Sequence, residues 1–324
     1  MASSLLDTTL ARLRRSADGA AAACKICAAP SVLYDVVDFA KSCDAGPYPT
    51  GLAGVPVYYR RCTRCGFVFT DFFDDFDDAS WRTFVYNDDY RRVDPGYAQD
   101  RPQANARLLD ALLRSRRAEV IGLDYGGGSG ATCERLRALG YAFDTWDPHG
   151  GCSLTPARVG RYNVCSAFEV AEHSADPVGF LQAIVALASP GRLAILVGTQ
   201  LNDRAAGDAT RLAWWYAAPR NGHVSLHSVR SMQLLGQRFA LDYTRLSNRT
   251  HLFTRGWSRR EAWLFLVRGK LAARLGAVGR SALHSRSRDE AVVVSPSTSS
   301  KCSSARAQRR GVSAATQSRG TTTW

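Results

Sequence analysis

The sequence predicts an α/β protein with a doubly wound, mainly parallel sheet, preceded by a small cysteine-bearing module. Two observations predict this architecture. Short apolar runs alternate with helical patterns between residues 118 and 256, which is typical of a parallel sheet covered on both faces. Two Cys-x-x-Cys pairs come before that region, at the ends of a segment rich in turn residues. A chain of 324 residues, 45% of them hydrophobic, suffices for one sizeable core and an accessory module.

The individual elements follow from apolar runs bounded by Gly, Pro and polar residues. Val120-Ile121-Gly122-Leu123 predicts a buried strand, and a glycine-rich loop separates it from a helical pattern that Gly140 ends. The other predicted strands cover residues 141–146, 162–168, 193–197, 241–246 and 251–254, and the predicted helices cover residues 132–139, 177–188 and 232–239.

Composition shifts divide the chain into five parts. We expect a flexible N-terminus at 1–22, a cysteine module at 23–70, an acidic and aromatic connector with a helix at 71–117, the α/β domain at 118–256 and a basic, largely disordered tail at 257–324. Residues 255–324 hold 14 Lys and Arg against 3 Asp and Glu, whereas residues 1–254 hold 28 against 26. The net charge of +13 therefore belongs mainly to the tail.

The apolar runs are too short for a membrane protein, since a spanning helix needs roughly 20 consecutive apolar residues. The first 20 residues carry Arg12, Arg14 and Arg15 and lack the continuous apolar stretch of a secretion signal. We therefore expect a cytoplasmic protein without a membrane span.

The cysteine pairs have the spacing of a metal site. Cys24 and Cys27 form one knuckle, Cys62 and Cys65 form the other, and two such knuckles complete a tetrahedral zinc site. Four thiolates leave no ligand position open, so the predicted zinc ion is structural. The alternative is four buried, reduced thiols.

The glycine-rich loop indicates a nucleotide-type site. It contains Asp124, Gly126, Gly128 and Gly130 between a strand and a helix, where the unpaired N–H groups of the helix suit an anionic group. Asp147 ends the next strand, and an acid there binds the two ribose hydroxyls of an adenosine. The loop also fits a dinucleotide fingerprint, which leaves an NAD-type oxidoreductase as an alternative. Against it, the four lysines all lie outside the α/β domain, so no Tyr/Lys proton relay is available there.

Four motifs in order resemble those of class I S-adenosylmethionine-dependent methyltransferases. Asp124-x-Gly126-x-Gly128-x-Gly130 is similar to their first motif, and Asp147-Pro148 to the acidic post-motif. The stretch from Phe168 to Pro177 resembles "E-V-x-E-H-x-x-D-P", and Ser189-Pro190-Gly191-Arg192-Leu193 resembles "P-G-G-x-L" with Arg192 in place of a glycine.

The resemblance implies a Rossmann-like fold and a role for each matching residue. It places Asp124 near the amino group of S-adenosylmethionine, the glycine loop along its methionine part and Asp147 on its ribose. It also places Pro148 at the adenine and Phe168 and Glu169 at the methyl centre.

Candidates for the acceptor end are His173, His223 and His227, with Tyr216 as a polar partner. His173 belongs to the Glu-His pair of the third motif, and Tyr216 and His223 lie in an aromatic stretch after the fifth strand, with Arg220 beside them. This mixture suits a small polar or anionic acceptor, of which a sugar or glycan precursor is our first choice.

The cysteine module also resembles the zinc-binding segment before the catalytic domain of sugar C-methyltransferases, through Cys62-x-x-Cys65-Gly66-Phe67-Val68. The long C-terminal domain of those enzymes has no counterpart here. A non-enzymatic binding module and an RNA methyltransferase anchored by the basic tail are further alternatives. The near-neutral body argues against a nucleic acid partner, because phosphate binding needs clustered cations beside the site.

Overall fold

A computed structural model describes residues 22–43, 48–94, 100–148, 150, 152–203, 211–268 and 271. All of them belong to one compact unit, Met1–Val278, and the second unit, Gly279–Trp324, lies outside the described residues together with nearly all of the predicted flexible N-terminus.

Between residues 118 and 200, strands and helices alternate as predicted. The strands are β1 (Ser31–Asp38), β2 (Pro56–Cys62), β3 (Val68–Phe69), β4 (Ile121–Tyr125), β5 (Ala142–Trp146), β6 (Val164–Phe168), β7 (Leu193–Gly198), β8 (Ser225–Leu226), β9 (Asp242–Arg245) and β10 (Thr250–Arg255). The helices are α1 (Asp78–Phe84), α2 (Tyr90–Val93), α3 (Asp100–Leu113), α4 (Ala131–Ala138), α5 (Pro177–Leu187) and α6 (Val229–Arg238). Short 3-10 turns include Ala171–His173 and Pro219–Asn221, and residues 259–268 are helical.

The large sheet has six strands in the order β5-β4-β6-β7-β10-β9. The first four are parallel, and β10 pairs antiparallel with both β7 and β9. All six residues of β7 are buried, which explains why this strand reads as a continuous apolar run. The parallel order brings the carboxyl ends of β4, β5 and β6 to one edge, where the residues predicted to bind the cofactor lie.

The helices begin at side-chain caps. Asp176 caps α5 by accepting hydrogen bonds from the backbone of Val178 and Gly179, and Ser228 forms a reciprocal capping box with Ser231 at the start of α6. The α6 cap fixes the segment that leads back from β8 into the large sheet.

The small sheet joins the cysteine module to a distant part of the chain. Its strand order is β1-β2-β3-β8, all antiparallel. Val68 and Phe69 of β3 pair with Leu226 and Ser225 of β8. The module is therefore completed by residues that follow β7, so the boundary predicted at residue 70 does not separate two independent sheets.

The connector forms an aromatic layer. Phe73 stacks on Trp81 with 5.3 Å between ring centroids, and Trp81 stacks on Tyr86 at 5.9 Å. The acidic residues lie mostly at the surface around this layer, with Asp74 paired to Lys25 at 2.5 Å. The segment thus packs as a solvated acidic surface over buried rings.

The helical residues 259–268 pack on the body beyond the predicted domain end at 256. Phe265 is 5% exposed, its ring lies 5.4 Å from that of Trp257, and Arg192 pairs with Glu261 at 2.6 Å. Among the described helices, none has the length and apolar character needed to cross a membrane.

Candidate active site

The glycine loop turns sharply between β4 and α4. Gly126 has a φ of 73°, and a Cβ atom at this position would lie 2.4 Å from Val170. A Cβ at Gly127 would lie 2.3 Å from the Thr145 hydroxyl. Both positions therefore require glycine, because a side chain would push the loop away from the strand ends.

The structure brings the loop and the predicted ribose acid together. The backbone N–H of Gly128 donates to Oδ2 of Asp147 at 2.8 Å, although the two residues lie on different strand ends. Pro148 follows at the exposed turn after β5. A carboxylate beside a loop of close-approach glycines fits an adenosine with an attached charged chain.

Asp124 lies beneath the loop and is 3% exposed. The Ser166 hydroxyl donates to its Oδ1 at 2.6 Å. Burial raises the pKa of the Asp124 carboxyl to about 6, the Ser166 hydrogen bond opposes that shift, and the charge of Asp147 adds to it. A cationic amino group placed here would stabilise the ionised form.

Phe168 and Glu169 end β6 at the same edge. Glu169 adopts a φ of 56°, and its N–H donates to the carbonyl of Gly198 at 2.8 Å. A non-glycine residue in this region stores strain, and such residues concentrate at functional sites. The predicted cofactor residues thus meet at the carboxyl ends of β4, β5 and β6.

Three of the four candidates for the acceptor end converge with Glu172, whereas His227 packs against Phe67 with 5.0 Å between ring centroids. The Tyr216 hydroxyl donates to Oε1 of Glu172 at 2.5 Å, and Nδ1 of His223 lies 2.7 Å from the carbonyl of Tyr216. The rings of His173 and His223 are 5.0 Å apart, edge to face. We call Glu172, His173, Tyr216 and His223 the polar cluster.

The polar cluster is buried, and burial sets its protonation. It raises the pKa of Glu172 to about 8, lowers that of His223 to about 4 and holds that of His173 well below its usual range. Because a carbonyl oxygen only accepts, Nδ1 of the neutral His223 must carry the proton that it donates to Tyr216. Its Nε2 then carries a lone pair.

Tyr86 connects the polar cluster to the cofactor residues. Its ring lies 6.3 Å from that of His173. Its pKa is raised by burial and then by the charges of Asp147 and Glu172. Because the charges of Asp147 and Glu172 both act on its hydroxyl, Tyr86 lies between the cofactor residues and the polar cluster.

Glu172 was not singled out from the sequence. It is 0% exposed, and only its place in the "E-V-x-E-H" stretch signalled it. The sequence places Arg220 in a mixture of aromatic, Arg and His residues that suits a polar or anionic acceptor. Instead its guanidinium donates to the carbonyl of Val85 at 2.8 Å and to Asn87 at 2.7 Å, so it holds the connector.

The four cysteines of the module converge as the spacing predicts. Sγ of Cys24 lies 3.7 Å from that of Cys65, and Sγ of Cys27 lies 3.5 Å from that of Cys62. A tetrahedral zinc ion with bonds of about 2.3 Å needs sulfur atoms about 3.8 Å apart. These two distances are close to that value and all four sulfur atoms lie within 4.8 Å of one another, so the four side chains could hold a zinc ion after small adjustments.

The module also supports the polar cluster. The Tyr59 hydroxyl donates to the carbonyl of His223 at 2.7 Å, and the Ser228 hydroxyl donates to the carbonyl of Cys65 at 2.5 Å. β3 of the module also pairs with β8, so the module contacts the segment from His223 to Ser228 at three points.

A cavity of about 420 Å³ lies elsewhere, between the C-terminal end of α3 and the helical residues 259–268. Its lining includes Leu112, Val120, Val164 and Phe265. Val120 and Val164 lie at the starts of β4 and β6. This is the opposite edge of the sheet from the glycine loop, so it is not the acceptor site.

Residues 97–246 match the family model described as a methyltransferase domain. The chain contains a class I S-adenosylmethionine-dependent methyltransferase domain. The predicted fold class and the predicted enzyme class, an S-adenosylmethionine-dependent methyltransferase, are thereby confirmed. A search of curated proteins gave no match to the sequence.

Solved structures similar to this methyltransferase include a mitomycin 7-O-methyltransferase, at 14% identity and a TM-score of 0.39 over 53% of this chain and 59% of that one. A plantazolicin methyltransferase in complex with S-adenosylhomocysteine has 16% identity and a TM-score of 0.40 over 58% and 86%. A magnesium protoporphyrin IX methyltransferase from Synechocystis has 13% identity and a TM-score of 0.33 over 57% and 92%. The chain thus spans less than two thirds of the mitomycin enzyme.

Proposed function

We propose that this methyltransferase transfers the methyl group of S-adenosylmethionine to a hydroxyl oxygen of a small polar acceptor, with a sugar or glycan precursor as the favoured class. The observation that carries the proposal is the buried polar cluster next to the cofactor residues. A hydroxyl acceptor loses a proton during transfer, so it needs proton-accepting groups at its binding site.

At the cofactor end, the residues that would hold S-adenosylmethionine are those of the glycine loop and its surroundings. Asp147 would bind the ribose hydroxyls, Asp124 the amino group, and Pro148 would line the adenine. Phe168 and Glu169 would border the methyl group. The bound cofactor supplies an activated methyl group on a sulfonium, so the protein has mainly to align the acceptor and exclude water.

At the acceptor end, the polar cluster offers a lone pair on His223 and, above the pKa of about 8 of Glu172, the lone pairs of that carboxylate. His223 has a lone pair on Nε2 because its Nδ1 proton is engaged by Tyr216. The Tyr216 proton is engaged by Glu172. An acceptor that brings its own hydroxyl hydrogens complements such a site, whereas a cationic or purely apolar acceptor does not. These are the interactions that favour a polyhydroxylated molecule.

We further infer that Cys24, Cys27, Cys62 and Cys65 hold a structural zinc ion. The four sulfur atoms lie within 4.8 Å of one another, and four thiolates are a typical donor set for structural zinc. The contacts of Tyr59 and Ser228 link this module to the polar cluster. Its role would be to fix the acceptor end rather than to react.

The test is a transfer assay with matched acceptors. The full chain is incubated with S-adenosylmethionine and with sugars or nucleotide sugars, and their amino and thiol analogues and RNA serve as comparisons. We expect a methyl ether and S-adenosylhomocysteine in equal amounts from the hydroxylated acceptors, and loss of product in His223→Ala but not in Asp242→Ala on the exposed start of β9. Methylation confined to amines, thiols or RNA would overturn the proposal.

A further inference from the structure

We propose that Glu172, His173 and His223 bind a divalent cation of the zinc class, at a site separate from the four cysteines. One carboxylate oxygen and one nitrogen of each imidazole lie within 4.8 Å of one another. Glu172 is 0% exposed and His223 is 4% exposed, and His173 between them is half-buried.

Each side chain has a polar atom left over. Oε2 of Glu172 and Nδ1 of His173 are buried and have no hydrogen-bond partner among the described residues. Nε2 of His223 carries a lone pair because Nδ1 donates to Tyr216. Buried polar atoms without partners are costly, and a cation at their centre would satisfy all three.

The surroundings have the form of an outer shell around a metal. Ligating histidines usually donate their second nitrogen to a carbonyl or a carboxylate, and ligating carboxylates are themselves hydrogen-bonded. Tyr216 supplies both contacts: its carbonyl orients His223 and its hydroxyl orients Glu172. Thr199 approaches the same hydroxyl at 3.3 Å, and because that hydroxyl already donates to Glu172, Thr199 must be the donor.

The donor set selects the cation. Two imidazole nitrogens and one carboxylate suit zinc and neighbouring first-row ions, whereas magnesium and calcium prefer oxygen ligands alone. Bonds of about 2.1 Å place tetrahedral ligands about 3.4 Å apart, so the side chains would close in by roughly an ångström. Three protein ligands leave one position open. Binding of the acceptor hydroxyl at this fourth coordination position would depend on the proposed function. Binding of the cation itself does not depend on it.

The experiment counts metal ions per chain. The full chain is dialysed against a weak chelator, titrated with zinc chloride and analysed for bound metal. We expect two equivalents, one at the cysteines and one at this site. Glu172→Gln and His223→Asn should each retain one, and His227→Asn, a buried histidine outside the site, should retain two. Tyr216→Phe keeps the three ligands and should weaken the second equivalent about 10- to 100-fold.

Cobalt distinguishes the two sites by spectroscopy. Only thiolate-bound cobalt gives sulfur-to-metal charge-transfer bands, so these should persist in Glu172→Gln while the second equivalent disappears. A wild-type chain that binds one equivalent, lost in Cys62→Ser and unaffected by Glu172→Gln, would overturn the inference. If the variants of Glu172 and His223 do not fold, the metal content of the wild type and of Cys62→Ser tests the inference instead: two equivalents in the wild type and one in Cys62→Ser would support it. Two equivalents without methylation of any hydroxyl would overturn only the proposed function.

Discussion

Asp147 is the residue on which cofactor binding should depend most. Its carboxylate lies at the glycine loop, and hydrogen bonds to a charged group contribute about 1.5–3 kcal/mol. We expect Asp147→Ala to weaken S-adenosylhomocysteine binding about 10- to 100-fold with little change in folding. Calorimetric titration measures this, with Asp242→Ala as the control. Unchanged affinity in Asp147→Ala would remove this residue from the site.

His251 should make the protein sensitive to acid. Its nitrogens lie 3.0 Å from the Tyr243 hydroxyl and 3.1 Å from the Thr199 carbonyl, and burial lowers its pKa to about 4. Between the unfolded pKa near 6.5 and this value the unfolded chain binds more protons, so stability is lost as the pH falls through that window.

The expected contribution of His251 is about 3 kcal/mol. Urea unfolding from pH 7 to pH 4 should therefore show a smaller loss of unfolding free energy in His251→Asn than in the wild type. Zinc release affects both chains equally, so the difference isolates His251. Parallel pH profiles would contradict this account.

At the residue level, the sequence predicts which side chains lie at the same edge of the sheet but not which neighbouring residues contact them. His173 and His223 are 50 positions apart, yet each follows a predicted strand at its carboxyl end, which places both at the same edge of the sheet. The importance of Glu172 depends on its burial and on the Tyr216 hydroxyl, and neither is visible in a local pattern. The contacts of Arg220 are likewise invisible in a local pattern, since Val85 and Asn87 engage it from far along the chain.

At the level of elements, the parallel strands were predictable because they are short, buried and bounded by Gly or Pro. β1 and β2 were not predicted. Val32, Leu33 and Val36 of β1 are exposed, so the apolar residues of this strand do not mark a buried face. The pairing of β3 with β8 joins residues more than 150 positions apart, and no local signal encodes that contact.

The cysteine module should act on β8 through β3. We expect Cys62→Ser, or removal of zinc by a strong chelator, to increase hydrogen exchange at residues 225–226 and to leave β4 protected. The four cysteines hold the two ends of the module together, and β3 of the module is the strand that pairs with β8. Exchange mass spectrometry measures both strands in one experiment. Equal protection of β8 with and without zinc would show that the module does not support the polar cluster.

For the molecule as a whole, the helical residues 259–268 extend the core beyond the methyltransferase match. Phe265 is 5% exposed, whereas Trp263 on the same helix is 59% exposed. We expect Phe265→Ala to lower the free energy of unfolding by about 3–5 kcal/mol, because large buried side chains leave a cavity when truncated. Chemical denaturation measures this, and Trp263→Ala is the matched control. Similar losses in both variants would mean that this helix does not pack as described.

The architecture also explains how a near-neutral body and a basic tail share one chain. The residues proposed to bind the cofactor and the acceptor all lie in the near-neutral part, and the cationic excess begins after residue 254. Binding of a small polar acceptor should therefore depend little on salt, since few charged contacts form.

Calorimetric titration of the full chain with S-adenosylhomocysteine and, separately, with NAD decides which cofactor the glycine loop binds. The glycine loop, Asp147 and Asp124 should bind S-adenosylhomocysteine with one site per chain and should not bind NAD. Binding of NAD alone would contradict the account, because the same loop would then serve a dinucleotide and the polar cluster would have no methyl donor beside it.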